Sequence, residues 1–190
     1  MITTDHHNRL QALAPRRLNV GSGQVPLPYW TNLDEAADAL ADIRQHVPPL
    51  PFGPEALDDI YAGHFLEHLP PEEAGVFLDE CHRCLTVGGR LGIVVPDTKE
   101  VMKRHLNGSL DAVEWPFGVW HKINDLDSLC RIFFYSTVQD SPHRWSYNLE
   151  TLWRLIEQHG FEVTNEIDRF SDPRIPVGAW YQCGLDAVKM

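Results

Sequence analysis

Two clusters of residues in this chain have the types and spacing for chemistry. Gly21-Ser22-Gly23 follow the short apolar run Arg17-Leu18-Asn19-Val20, and Asp34 ends a second short run, Tyr29-Trp30-Thr31-Asn32-Leu33. Glycines in a turn after a strand let backbone N–H groups approach a ligand closely, and a carboxylate ending the next strand is placed to hold ribose hydroxyls. Together they point to an adenosine-containing cofactor. The plainer reading of Asp34 is a turn residue or helix cap before Glu35. A dinucleotide site would show a third glycine and an acid about 20 residues on. Here the third glycine is missing and Asp34 follows Gly21 by 34 − 21 = 13 positions, too few for a full helix between the strands.

A second cluster lies further along. Ala62-Gly63-His64 end the apolar run that starts near Ala56, and Pro96-Asp97 end another, Arg90–Val95. A reaction that takes a proton from a hydroxyl near neutral pH most often uses histidine. His64, His68, His121 and His143 are candidates, with His64 and His143 the ones we single out as catalytic. Each also has the ordinary reading of a surface or structurally hydrogen-bonded ring, since the chain holds 10 histidines. Cys81 and Cys84 form a CxxC, but there is no second such pair and the surrounding FLDECHRCL reads as helix. We take them as packed thiols and read no metal site from the sequence.

The elements that must position these residues follow from periodicity. Pro70-Pro71 open a helix with Glu72 and Glu73 in its first turn; Leu78, Cys81 and Leu85 recur at helical spacing, and Gly88-Gly89 are expected to stop it. Arg90–Asp97 then reads as a buried parallel strand. Strands alternating with helices predict an α/β sheet with its ligand pocket at the carboxyl ends of the strands. Residues 97–145 show little periodicity, hold Trp115, Trp120, Phe133, Phe134 and Tyr135, and are expected to form a lid or insertion over the pocket. Asn148 caps a last helix whose Leu149, Leu152, Trp153 and Ile156 share a face, ending at His159-Gly160. Phe161–Thr164 and Ala179–Val188 supply two closing strands, a hairpin through the Pro173–Pro176 loop. Nothing divides the chain, so residues 1–190 read as one domain.

With 16 Lys+Arg against 27 Asp+Glu, the net charge is 16 − 27 = −11. That sign disfavours nucleic acid and anionic membrane as partners. The composition is 43% hydrophobic and 23% charged, with no apolar run of spanning length and no secretory leader. We expect a soluble cytoplasmic protein that acts on a small molecule. The sequence is silent on oligomeric state.

Leu18-Asn19-Val20-Gly21-Ser22-Gly23, Trp30-Thr31-Asn32-Leu33-Asp34, Leu57–Tyr61 with Leu66-Glu67-His68, and Arg83–Leu91 through Pro96-Asp97 resemble, in order and spacing, the motifs of class I S-adenosylmethionine-dependent methyltransferases. The pattern is closest to the short type-11-like group. The resemblance implies a Rossmann-like, three-layer α/β fold, mostly parallel with an antiparallel C-terminal hairpin. It implies S-adenosyl-L-methionine as cofactor: Gly21, Ser22 and Gly23 along the methionine portion, Asp34 on the ribose, Asp42 and Ile43 by the adenine, and Ala62, Gly63 and His64 nearest the sulfonium. By analogy the acceptor is a sugar or natural-product hydroxyl. Where many relatives start a helix after the glycine turn, this chain continues Gln24-Val25-Pro26-Leu27-Pro28. Two other readings fit the same residues: an inactive methyltransferase-like binding subunit, and another nucleoside-using enzyme such as an aminopropyl transferase or NAD-dependent oxidoreductase.

Overall fold

A computed structural model describes residues 16–109, 113–115, 118–120, 142–166 and 181–190. Its centre is a seven-stranded mixed sheet. The strands are β1 (Arg17–Val20), β2 (Thr31–Asp34), β3 (Ile43–Arg44), β4 (Leu57–Gly63), β5 (Leu85–Pro96), β8 (Phe161–Glu166) and β9 (Gln182–Lys189). They lie in the order β3-β2-β1-β4-β5-β9-β8. The first five are mutually parallel, while β9 runs antiparallel to both β5 and β8. The mixed sheet with an antiparallel C-terminal pair is the one expected from sequence; the Pro173–Pro176 connection lies outside the described residues. A separate two-stranded ribbon joins β6 (Val113–Trp115) to β7 (Gly118–Trp120).

Period-two alternation sorts the core strands onto two faces. Ile60, Ala62, Ile93 and Val95 point into one cluster with Phe77, Leu78 and Cys81 of helix α1 (Pro71–Cys84) and with Leu152 and Ile156 of α3 (Leu149–Gln158). Tyr61 and Val94, one residue out of phase, point the other way and meet Leu27 and Trp30. The stiff segment after the glycine turn thus does on that face what a helix would otherwise do. Across β1, β4 and β5, Arg17, Asp59 and Arg90 are register partners, and the buried Asp59 carboxylate binds both guanidiniums at 3.1 and 2.7 Å. Side chains facing across paired strands are the unit that fixes such a register.

Local signals explain α1 and α3. Pro71 starts α1, Glu72 and Glu73 complement the positive end of its dipole, and His82 and Arg83 its negative end. Cys81 and Cys84 lie buried on its inner face, where burial raises both thiol pKa values. Asn148 caps α3 in a reciprocal box with Thr151, at 3.0 Å in each direction. Two expectations are corrected. Trp153 faces out, because it stands one residue and about 100° round from Leu152; Leu155 packs against the core instead. Gly88-Gly89 do not end α1, which stops at Cys84 and passes directly into β5. Partners shift from Leu57↔Leu85 to Asp59↔Arg90, so residues 86–89 are an outward bulge, with Gly88 at φ +77°.

Of the 97–145 stretch expected as a lid, the structure describes helix α2 (Thr98–Leu106), capped by Asp97, and the β6–β7 ribbon. His121, Cys130, Phe133, Phe134 and Tyr135 lie outside the described residues. Among the described residues no helix is long and apolar enough to cross a membrane.

Candidate active site

The register sets Val20 level with Leu33 and Ala62, and Gly63 level with Val94, so the residues that follow share one edge of the sheet. One corner of that edge is built from backbone. Gly21 (φ +72°) and Gly23 (φ +53°) adopt the left-handed region that side chains avoid. Gly21 N donates to Leu33 O at 2.9 Å, and Gly23 N donates to Asp34 Oδ2 at 2.8 Å. Ala36 N donates to Asp34 Oδ1 at 2.9 Å. Asp34 is therefore the cap and tie of the turn, and each of its oxygens keeps a second lone pair for a ligand hydroxyl. A Cβ at Gly21 would stand 2.9 Å from Cδ2 of Phe65, so the cradle closes over glycine alone. Ser22 is buried behind it, its hydroxyl 3.4 Å from Leu40 O.

Asp42 and Ile43 lie where β3 begins beside β2. β3 begins at Ile43 in register with Leu33, which leaves Asp42 level with Asn32, on the amino side of the edge. Asp42 Oδ2 accepts from Asn32 N at 2.8 Å and from Asn32 Nδ2 at 3.2 Å. Ile43 packs against the core. The carboxyl end of β3 is instead Arg44, whose guanidinium binds the carbonyls of Ala36 and Ala39.

The other corner is built from side chains. His64 follows β4 with φ +52°, unusual for a residue with a Cβ and the sort of outlier that gathers at functional sites. Its Nδ1 lies 3.2 Å from Glu67 Oε1 and its Nε2 3.2 Å from Gln182 Oε1. Both ring nitrogens thus face protein groups, and His64 links Glu67 to Gln182. Glu67, in the short 3₁₀ turn Leu66–His68, is 1% exposed, and its Oε2 is buried with no hydrogen-bond partner among the described residues. Burial opposes its ionisation. The His64 hydrogen bond and the charges of His64, His68 and His143 outweigh that and hold the carboxyl down at about 2. Tyr147, buried and close enough to feel the Glu67 charge, has its phenol pKa raised by burial first and by that charge second.

His143 reaches this corner because residues 142–147 lie along it. Arg144 N and Trp145 N both donate to the Glu67 carbonyl, at 2.8 and 3.1 Å. Tyr147 O accepts from Thr98 N and from its hydroxyl. His143 and His68 stack edge to face at 4.8 Å between ring centroids. Sequence reasoning named His68 and His143 separately and gave Glu67 no role; the Leu66-Glu67-His68 run was the available signal.

The architecture is that of the class I S-adenosylmethionine-dependent methyltransferases. A methyltransferase of that kind from Methanosarcina mazei superposes with a TM-score of 0.57 at 17% identity, covering 99% of this chain and 98% of its own. The magnesium protoporphyrin IX methyltransferase of Synechocystis PCC 6803, with bound SAH, gives 0.52 at 14% identity, over 96% and 78%. A Haloferax volcanii protein in complex with the Trm112 methyltransferase activator gives 0.55 at 12% identity, over 92% and 82%. No family model and no curated protein matches the chain in sequence.

Proposed function

We propose that this protein binds S-adenosyl-L-methionine and transfers its methyl group to a hydroxyl of a small molecule, a sugar or natural product. The observation that carries the reading is the glycine cradle, at positive φ and tied to Asp34, set on the same strand edge as a buried histidine–carboxylate corner. The residues fit the cofactor: Gly21 and Gly23 hold the turn at positive φ, where a backbone can pass close to a ligand, and Asp34 has acceptor capacity remaining. S-adenosylmethionine supplies an electrophilic methyl carbon on a sulfonium. Gly21, Ser22 and Gly23 would hold the methionine portion, Asp34 the ribose, and Ala62, Gly63 and His64 the side nearest the methyl group. Transfer by in-line displacement asks chiefly for positioning and shelter from water. The acceptor proton is the remaining task, and the histidines of the second corner, His64 among them, are the candidates to receive it.

Calorimetry with S-adenosylmethionine and SAH, followed by transfer of labelled methyl to sugar and phenolic hydroxyls, tests this. Binding with turnover supports it. Failure to bind either compound favours the second reading, an inactive methyltransferase-like binding subunit.

A further inference from the structure

We propose that Glu67, His68 and His143 form a binding site for a first-row divalent transition-metal ion such as zinc. One ligand atom from each lies within 4.8 Å of the others. A tetrahedral ion with bonds near 2.1 Å holds its donors about 3.4 Å apart, so closure asks the three ligand atoms to draw modestly closer. Two imidazoles and a carboxylate are the donor set of open zinc and ferrous sites.

Four features go beyond proximity. Among the described residues Glu67 Oε2 is a buried carboxylate oxygen without a hydrogen-bond partner, and such an oxygen is open to a ligand. The other oxygen, Oε1, is held by His64, as outer partners commonly hold metal-binding carboxylates. His68 Nδ1 lies 3.3 Å from Pro142 O. A carbonyl only accepts, so Nδ1 carries the proton and the neutral ring's lone pair sits on Nε2, the tautomer a metal requires. His143 is fixed opposite by the paired amides of Arg144 and Trp145 on the Glu67 carbonyl.

Three protein donors leave a coordination position for an oxygen ligand. On the methyl-transfer reading, that position would polarise the acceptor hydroxyl; this role rests on that reading, whereas the site does not. The test is titration of tag-free protein with Zn²⁺ and, for its visible spectrum, Co²⁺. One ion per chain is expected, with a thermal midpoint that rises on addition. Glu67→Gln, which keeps an oxygen toward His64, and His143→Ala should each weaken binding at least tenfold. His159→Ala, which removes an unrelated histidine paired with Asp79, should leave it unchanged. Circular dichroism identifies any variant that fails to fold, and His68→Gln then stands in its place. Absence of Co²⁺ bands, or binding that survives both Glu67→Gln and His143→Ala, overturns the site. Chelated protein that still binds S-adenosylmethionine but no longer transfers methyl would separate the metal's role from the cofactor's.

Discussion

The two corners of the carboxyl edge solve the problem of holding a ligand in opposite ways. At the β1–β2 corner the ligand surface is main chain, and nearly every polar group there is already satisfied: Gly21 N by Leu33 O, Gly23 N and Ala36 N by Asp34. At the β4–β5–β9 corner it is side chain, gathered from three places in the sequence (His64 with Glu67, His143 and Gln182) around a carboxylate oxygen with no hydrogen-bond partner among the described residues. A satisfied backbone cradle tolerates ligand and no ligand alike. A buried carboxylate whose neighbours are titratable does not, and its state depends on what is bound beside it. The first is suited to a cofactor that comes and goes, the second to the reacting group.

The sharpest way to break the contrast is at Gly21. Gly21→Ala combines a left-handed backbone, about 1–2 kcal/mol, with a clash against Phe65, about 1–3 kcal/mol. We expect an earlier urea midpoint and loss of cofactor binding; adding Phe65→Ala should relieve the clash and leave the backbone cost. Next is His64→Ala, which strips Glu67 of its hydrogen bond in a buried setting. The expected loss is about 2 kcal/mol of stability, with turnover reduced more than cofactor affinity. Equal losses of the two would erase the distinction between the corners. Asp34→Ala frees two backbone amides and should lower stability by about 1 kcal/mol while weakening S-adenosylmethionine binding; Asp34→Asn should recover part of each, read by calorimetry.

The smallest effect is expected outside both corners, at Glu80. Its pKa is lowered chiefly by the Arg83 hydrogen bond, and the same pair grips the 50–52 segment through Leu50 N, Leu50 O and Phe52 O. A depressed folded-state pKa contributes stability above the unfolded pKa of about 4.3 that is lost as pH falls through the folded value. Glu80→Gln should therefore cost at most about 1 kcal/mol near pH 7 and flatten the acid side of the stability profile. Urea curves at pH 7 and in acid measure both, and binding at the two corners should be unaffected.

The contrast also explains what the sequence disclosed. Glycines at fixed distance from a strand and an acid at the next strand's end are local patterns, so the turn at Gly21-Ser22-Gly23 and the strand ending at Asp34 were legible, as was the alternation of strands and helices along the chain. β3 itself was not legible, because it is only two residues long and its register with β2 depends on a pairing no local pattern sets. Gly88-Gly89 signal a turn equally well at a helix end or in a bulge, and only the Asp59–Arg90 pairing decides between them. Glu67 looked like one more helix-turn carboxylate until a segment far along the chain was seated against it.

That seating bears on how the molecule assembles. His68 meets Pro142 across 74 positions of chain, whereas Gly23 meets Asp34 across 11. Closing long loops is entropically dearer than closing short ones, so distant pairings tend to form late. A refolding chain should complete its cofactor cradle before its reaction corner. The amides of Arg144 and Trp145 should then be among the last to gain protection from hydrogen exchange, which makes them reporters of when the protein becomes competent.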